Sequence, residues 1–364
     1  MAADARLLRG NDPLTRTTAS HRPRRSSFIA ITEWKKPLKS DNVAERSGNA
    51  VHNTKNGDFV TKRVEFASCG ATLRGLLLIP TGIGGPLPAI AMAPGMSGVK
   101  EGSIAKYAEY FARGGFVVLA YDNINFGESG GEPRQEADPH LQRRGYRDAI
   151  TFLTLQPEVD RERIGVWGTS YSGGHVLEIA AHDRRVKCVV SQIGAMSGFE
   201  ALRRSFRPDA RQAVLREADL DREQRFQGHS PRTVKAVSDD PSEPCAMPGA
   251  AAYAYFMQQA KDAPNWRNAL TFRSLDLYWG IENAVFLPRI SPTPLLMIVA
   301  LGDELIPSEL SLAAYEQALE PKKLVTLPGN HFSPYVEQFD ITGNEARDWF
   351  TRHLVIGGSV GLNR

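Results

Sequence analysis

The residue best suited to nucleophilic chemistry in this chain is Ser170, within the segment Gly168-Thr169-Ser170-Tyr171-Ser172-Gly173. The segment directly follows the apolar run 164–167 and precedes a helix-like stretch, 174–181. A serine among small residues at a strand-to-helix turn is typical of a nucleophile elbow, where the hydroxyl is exposed at the N-terminus of a helix. Position 172 departs from the usual Gly-x-Ser-x-Gly pattern because it holds serine. Serine is still small enough for the turn, so the segment predicts a catalytic nucleophile.

Two further residues lie where the partners of such a serine are expected. Asp303 follows the apolar run 294–301, and His331 follows a second strand-like run, 323–328. Both fall just past the C-terminal ends of predicted strands, where open α/β sheets form their ligand-binding crevice. The order Ser, Asp, His along the chain is that of the α/β-hydrolase triad. We therefore predict that Ser170, Asp303 and His331 form a catalytic triad.

Each partner of the serine has competitors. Glu304 could supply the acid, but the neighbouring Asp303 is the first residue after the glycine of the turn. His175 and His182 lie on the predicted helix after the elbow, and His353 lies in an amphipathic C-terminal stretch. The remaining histidines occur in irregular or polar segments: His21, His52, His140 and His229. We expect these seven histidines to pack or to face solvent.

An oxyanion hole requires two N–H donors aimed at the developing negative charge. The backbone N–H of Tyr171, directly after the nucleophile, is one expected donor. The other is expected in the loop after the strand 87–93, where Gly95 lets the backbone approach the substrate and Met96 offers its N–H. The alternative is that this loop is only a glycine-rich turn.

The composition is that of a globular enzyme without a membrane span. The chain has 364 residues, of which 42% are hydrophobic, but no apolar run approaches the roughly 20 residues of a membrane-spanning helix. The first residues lack the apolar stretch of a signal peptide. Only three cysteines occur, too widely spaced for a metal or redox motif. We expect Cys188 to be a core thiol and the protein to be cytoplasmic.

The positive charge is concentrated at the N-terminus. The net charge is +3, yet residues 1–40 carry nine Lys or Arg against three acids, so the remainder is mildly acidic. This excess lies in a Ser-, Arg- and Pro-rich stretch with no patterned face, which argues against a nucleic-acid surface. We predict that residues 1–55 form a disordered extension. A mitochondrial targeting segment is the minor alternative, disfavoured by Asp4 and Asp12.

Strand-like and helix-like segments alternate along most of the chain. Such alternation predicts an α/β fold with a mostly parallel sheet flanked by helices. The predicted core comprises residues 56–196 and 289–358, and residues 197–288 interrupt the alternation as a predicted helical cap insertion. The insertion begins with a charged, helix-like pattern over 199–225. Seven of its aromatic residues are candidates for lining an apolar pocket, and about a third of these seven are expected to face it. They are Tyr253, Tyr255, Phe256, Trp266, Phe272, Tyr278 and Trp279.

Four segments together resemble one group of α/β-hydrolases, the fungal polyketide transferases and polyketide-releasing thiohydrolases. That group is related to dienelactone-hydrolase-like and X-Pro-dipeptidyl-peptidase-like enzymes. The resemblance covers roughly residues 59–356. The segments are Pro94-Gly95-Met96-Ser97-Gly98-Val99-Lys100-Glu101, Tyr121-Asp122 with Phe126-Gly127-Glu128-Ser129-Gly130-Gly131, Trp167-Gly168-Thr169-Ser170-Tyr171-Ser172-Gly173-Gly174-His175, and Gly302-Asp303 with Gly329-Asn330-His331-Phe332.

The resemblance implies that Ser170 accepts an acyl chain from a carrier-protein thioester or an ester, and that water or an alcohol then removes it. No metal or organic cofactor is needed. The polar, Pro-rich stretch 228–248 suggests a water-accessible lid and favours hydrolytic release over transfer. A general carboxylesterase or a catabolic C–C hydrolase is the alternative enzyme, and a non-catalytic binding module is the alternative of another class.

Overall fold

The computed structural model describes residues 54–205 and 207–356, which belong to one compact unit. The strands in chain order are β1 (Thr54–Asn56), β2 (Phe59–Ser68), β3 (Ala71–Pro80), β4 (Leu87–Ala93), β5 (Val117–Tyr121), β6 (Val159–Thr169), β7 (Val186–Gln192), β8 (Thr233–Val234), β9 (Leu270–Thr271), β10 (Leu295–Ala300) and β11 (Lys322–Leu327). The helices are α1 (Ser103–Arg113), α2 (Pro139–Thr154), α3 (Tyr171–His182), α4 (Gly198–Ser205), α5 (Pro208–Phe226), α6 (Ala250–Gln259), α7 (Phe272–Trp279), α8 (Ser308–Gln317) and α9 (Phe339–Phe350). The predicted extension 1–55 lies outside the described residues except for Thr54 and Lys55, which belong to β1.

Nine strands form one sheet in the order β1-β2-β3-β5-β4-β6-β7-β10-β11. Every neighbouring pair from β5 to β11 is parallel, whereas β1, β2 and β3 form antiparallel pairs. All seven residues of β4 are buried apolar or proline residues, as expected for a parallel strand covered on both faces. The mostly parallel sheet flanked by helices confirms the predicted α/β-hydrolase fold.

Helices cover both faces of the sheet. Helices α1 and α9 bury side chains such as Phe111 and Phe350 in the cluster on one face. Helices α2, α3 and α8 bury side chains such as Tyr146, Leu177 and Ala314 in the cluster on the other face. The elbow between β6 and α3 therefore belongs to a sheet that is covered by helices on both faces.

The charged pattern over 199–225 folds into two helices instead of one. Helix α4 ends at Ser205, and α5 begins with Pro208 as its first residue. Proline disfavours a helical conformation in the residue before it and is well tolerated at the first helical position. Accordingly, Arg207 directly before Pro208 is extended, with a φ of −59° and a ψ of 154°.

A third hydrophobic cluster lies between the segment 197–288 and the C-terminal ends of the strands. It joins Val237 and Met247 from that segment to Tyr171 and Phe332. The Val237 N–H also donates to the side-chain oxygen of Asn268 at 2.9 Å. Part of the stretch expected to be a water-accessible lid is therefore packed against the site. Among the described residues, no helix is both long and apolar enough to cross a bilayer.

Candidate active site

Ser170 occupies a sharp turn between β6 and α3, with a φ of +56°. Only glycine adopts such a conformation readily, so a serine held there marks a constrained position. Close backbone contacts fix the turn: a Cβ on Gly168 would lie 2.3 Å from the carbonyl oxygen of Ser172, and one on Gly173 would lie 2.8 Å from that of Gln192. Side chains are thus excluded at both positions, as the elbow motif predicts.

The serine at position 172 has a structural use of its own. Its hydroxyl accepts the Thr169 N–H at 3.0 Å and donates to the carbonyl oxygen of Ala93 at 2.8 Å. Ala93 is the last residue of β4, directly before the loop that carries Met96. Ser172 therefore connects the elbow to the predicted oxyanion loop. The sequence showed that serine replaces the usual glycine at position 172. It did not show that Ala93, 79 residues away, is the hydrogen-bond partner of this serine.

The structure brings Ser170, His331 and Asp303 together. The distance from Ser170 Oγ to His331 Nε2 is 3.0 Å, and that from His331 Nδ1 to Asp303 Oδ2 is 2.6 Å. His331 is 4% exposed and Asp303 is 8% exposed. Two backbone N–H groups, from Leu305 and Ile306, donate to the other carboxylate oxygen of Asp303 at 2.9 and 2.8 Å. These bonds hold the carboxylate in the plane where it meets the imidazole.

The hydrogen bonds determine the tautomer of His331. An ionised carboxylate can only accept, so the proton between His331 and Asp303 lies on Nδ1. Nε2 is then free to accept the Ser170 hydroxyl proton. This arrangement matches a general base that activates a serine.

The residues that compete for the roles of Asp303 and His331 are not part of the triad. Glu304 is exposed and has no hydrogen bond to His331. His175 is fully buried beneath Tyr171, and its Nε2 faces Gln142 Oε1 at 3.2 Å. Burial, with Arg143 adding to it, holds the pKa of His175 well below its usual value, so this imidazole stays neutral. His353 packs on Trp349 with 4.3 Å between ring centroids, as its predicted packing role requires.

Both predicted oxyanion donors lie at the nucleophile. Tyr171 is the first residue of α3, and its N–H has no partner within the helix. In the other loop, a Cβ on Gly95 would lie 3.0 Å from Ser170 Cβ, so the backbone there directly contacts the nucleophile. The N–H of Met96 donates to no other group in the described part of the chain. The two N–H groups are thus available to a ligand beside Ser170.

A cluster of paired charges around the buried Lys100 connects the loop that carries Met96 to the loop after β5. The ammonium of Lys100, 1% exposed, lies 2.8 Å from Asp122, 2.7 Å from Glu128 and 2.6 Å from Glu101. Asp122 also accepts the backbone N–H of Lys100 at 2.7 Å. The loops after β4 and β5 are therefore joined by paired charges. We call Lys100, Glu101, Asp122 and Glu128 the lysine cluster.

Within the lysine cluster, burial and pairing act against each other. Burial alone would lower the pKa of Lys100, but the charge and hydrogen bonds of Asp122 raise it above its usual value. Burial raises the pKa of Asp122, and Lys100 opposes that rise. The three carboxylates lie within 4.8 Å of one another, yet Lys100 already places a cation among them. The sequence showed these charges in the loops but gave no reason to connect them.

Two cavities open from the nucleophile. One has a volume of about 210 Å³ and the other of about 40 Å³. Both are lined by Met96, Ser170, Met247 and His331, so they meet where the reaction would occur. We call them the large cavity and the small cavity.

Aromatic residues of the segment 197–288 contribute more to these cavities than expected. Five of the seven line one or the other, and only Tyr253 and Phe272 line neither. The expectation that about a third would face the pocket was wrong. Among these seven residues, two ring contacts join members to one another, whereas four join them to Tyr171, Phe332 or Tyr335 outside the segment.

Comparisons with known proteins agree with this geometry. The family model described as X-Pro dipeptidyl-peptidase (S15 family) matches residues 60–333. A thiohydrolase from Eupenicillium brefeldianum is 33% identical over 72% of this chain and 83% of its own length. The polyketide transferase claH from Penicillium crustosum is 31% identical over 75% of this chain and 90% of its own length.

A solved structure agrees as well. The crystal structure of the α/β hydrolase GrgF from Penicillium sp. sh18 superimposes with a TM-score of 0.70 at 28% identity, and the match covers 81% of this chain and 99% of GrgF. Fold, family model and curated relatives thus lead to one assignment. The chain belongs to the X-Pro dipeptidyl-peptidase (S15) family of α/β-hydrolases and is an enzyme of the hydrolase or acyltransferase type.

Proposed function

We propose that this enzyme takes a bulky acyl chain from a thioester onto Ser170 and then releases it to water or to an alcohol. The observation that carries the proposal is the 3.0 Å contact between Ser170 Oγ and His331 Nε2 at the meeting point of two cavities. The names of the relatives, thiohydrolase and polyketide transferase, support a polyketide as the acyl chain. The donor of the thioester is then the carrier domain of a polyketide synthase.

The proposed mechanism has two steps, acylation and deacylation of Ser170. In the first, Ser170 Oγ attacks the thioester carbon while His331 Nε2 takes its proton, and the N–H groups of Met96 and Tyr171 stabilise the oxyanion. The C–S bond breaks and the proton passes to the leaving sulfur. In the second step, His331 removes a proton from water or an alcohol, whose oxygen attacks the acyl carbon. The bond from that carbon to Ser170 Oγ then breaks, His331 returns the proton to Oγ, and the free acid or the ester leaves. Asp303 stabilises the imidazolium in both steps.

Residues 197–288 act in this proposal as the cap that selects the acyl chain. The cap supplies most of the aromatic lining, whereas the triad is common to many reactions. The proposed compartment is the cytoplasm, where a carrier domain would present the thioester. Hydrolysis and transfer share the acyl-serine, so the second nucleophile alone separates them.

The test compares one acyl group on two leaving groups. The wild type and Ser170→Ala are assayed with a long-chain acyl N-acetylcysteamine thioester and with the matching ethyl ester. We expect the wild type to prefer the thioester and Ser170→Ala to lose both activities. A preference for the ester would favour the carboxylesterase alternative. Failure of the wild type to react with a fluorophosphonate would favour a non-catalytic binding module.

A further inference from the structure

A thioester substrate has two parts, which we call arms. The acyl chain and the thiol are attached to opposite sides of the reacting carbonyl carbon and extend from it in different directions. The structure offers two cavities that meet at Ser170 and His331. Their walls come from different elements: α4 and α7 line the large cavity, whereas α6 and the segment after His331 line the small one. The two arms of the substrate can therefore be assigned by the chemistry of each wall.

The lining of the large cavity is mostly apolar, with Leu202, Leu275 and Ile306 among its side chains, and it also includes the polar side chains of Glu304 and Tyr278. None of its lining residues has a buried side-chain polar atom without a partner among the described residues. A mostly apolar wall without a fully buried, unpaired polar atom suits a hydrocarbon chain. Its volume of about 210 Å³ also exceeds that of the small cavity about fivefold.

The small cavity has aromatic walls that contain unpaired donors. The Tyr255 ring stacks on Phe332 with 4.6 Å between centroids, and Phe256 stacks on Trp266 at 5.5 Å. Trp266 Nε1 and the Tyr255 hydroxyl are buried without a hydrogen-bond partner among the described residues. The Ser103 hydroxyl is near enough to act on the pKa of Tyr255 but lies outside hydrogen-bond geometry.

Buried tryptophan N–H and tyrosine O–H groups nearly always have a partner. Trp266 and Tyr255 both line the small cavity, so a ligand there with hydrogen-bond acceptors would supply the partners that these two donors lack. An amide carbonyl is a strong acceptor, and the arm that joins a carrier protein to an acyl thioester is slender and contains amides. A hydrocarbon arm would leave both donors unsatisfied.

We propose that the small cavity binds the amide-bearing thiol arm of the thioester, with Trp266 Nε1–H and the Tyr255 hydroxyl donating to an amide carbonyl, and that the large cavity binds the acyl chain. The proposal rests on the function proposed above. It makes Trp266 and Tyr255 specificity-determining residues for the leaving group. Neither residue is part of the triad, so the chemistry at Ser170 does not depend on them.

The test uses two thioesters that share one acyl chain. One carries N-acetylcysteamine, which has an amide, and the other carries ethanethiol, which has none. The measured quantity is the ratio of kcat/KM for the two thioesters in the wild type, Trp266→Phe and Tyr255→Phe. Because both substrates are measured on one preparation, the ratio does not depend on the fraction of folded enzyme.

We expect the wild type to prefer the N-acetylcysteamine thioester, and each variant to reduce that preference by about two- to tenfold, the effect of one neutral hydrogen bond. Trp279→Phe, the same substitution in the large cavity, is the matched control and should leave the ratio unchanged. An unchanged ratio in both Trp266→Phe and Tyr255→Phe would overturn the proposal. So would an equal fall in Trp279→Phe.

The remaining outcomes are also decisive. If Trp266→Phe reduces the use of an added alcohol but not the thioester ratio, the small cavity binds the acceptor and the proposal is wrong. A wild type that cleaves both thioesters equally well would also refute the proposal, yet leave the proposed function standing. A wild type that cleaves neither would refute the proposed function itself.

Discussion

The two nitrogens of His331 have different partners, and this difference sets the direction in which a proton can move. Nδ1 donates to Asp303 at 2.6 Å and Nε2 faces Ser170 at 3.0 Å. The carboxylate of Asp303 is in turn held by two backbone N–H groups. Each group in the series is therefore oriented by the next before any substrate binds.

Replacing Asp303 by asparagine should reduce kcat about 10⁴-fold, because the amide favours the wrong tautomer of His331. The matched control is Glu304→Gln, since Glu304 is adjacent in sequence but exposed and not bonded to His331. It should leave kcat within about twofold of the wild type. Steady-state kinetics on one thioester decide the matter: a larger loss in Glu304→Gln would show that the acid is misassigned.

His175 should make the protein less stable in mild acid. Its pKa in the folded state is lowered by burial, with Arg143 and His140 adding to the effect. Below its unfolded-state pKa of about 6.5 the unfolded chain therefore binds a proton that the folded chain does not, and stability falls as the pH falls. His175→Gln should reduce this slope between pH 6.5 and 5 by up to about 1.4 kcal/mol per pH unit. Urea denaturation at several pH values measures the free energy of unfolding of the wild type and of His175→Gln. Equal dependence of this free energy on pH in the two proteins would contradict the prediction.

The sequence indicated Ser170, Asp303 and His331 because each follows a strand, and a parallel sheet brings strand ends together. It did not indicate Ser172 or Lys100 as structural residues. Their partners, Ala93 and Asp122, lie in other loops, and no local pattern encodes a contact between two loops. The catalytic roles of the five site residues, Met96 and Tyr171 included, stay predictions until the variants are measured.

Among the elements, the loops after β4 and β5 matter most for the position of Met96. The lysine cluster joins them with a charge that is buried on every side. A second contact, from the Asn123 side-chain amide to the carbonyl oxygen of Pro94 at 3.2 Å, lies two residues before Met96. The proposed oxyanion donor, Met96, is therefore positioned by groups outside the proposed site.

Lys100→Met should reduce the free energy of unfolding by about 3–5 kcal/mol, because it leaves the buried carboxylate of Asp122 without its cation. The matched control is Lys62→Met, which breaks a partly exposed pair with Glu158 and should cost about 1 kcal/mol or less. Chemical denaturation of both variants measures the difference. Equal losses would contradict a structural role for the lysine cluster.

The core elements could be predicted closely, and the helices of the insertion could not. The strand-like runs 294–301 and 323–328 proved to be β10 (Leu295–Ala300) and β11 (Lys322–Leu327). In contrast, the helix-like pattern over 199–225 proved to be two helices, α4 and α5, and α5 buries only Ala218 and Asp221. A helix with little buried surface has no pronounced apolar face, so its sequence pattern does not specify how it packs.

For the molecule as a whole, we propose that the loops at the sheet edge supply the reacting groups and that the segment 197–288 supplies much of the cavity wall around them. Ala201 of α4 is 6% exposed and lines the large cavity. A larger side chain there would occupy space that a long acyl chain needs, without touching the triad. Selectivity and reactivity should therefore be separable by substitution.

Ala201→Phe should reduce kcat/KM for a long-chain acyl thioester about tenfold or more, and leave that for the acetyl thioester nearly unchanged. The control is Ala254→Phe on the exposed face of α6, which should alter neither value. A chain-length series assayed on both variants provides the comparison. Equal losses for long and short chains would mean that the large cavity does not hold the acyl chain.

The central claim is that Ser170 carries the acyl chain between the two steps, and intact-protein mass spectrometry tests it most directly. The enzyme is mixed with a slowly released acyl thioester, quenched in acid and digested to locate the modified peptide. We expect the mass of the wild type to increase by the mass of the acyl group, with the modification on Ser170, and the mass of Ser170→Ala to stay unchanged. An adduct on another residue, or full turnover by Ser170→Ala, would contradict the claim.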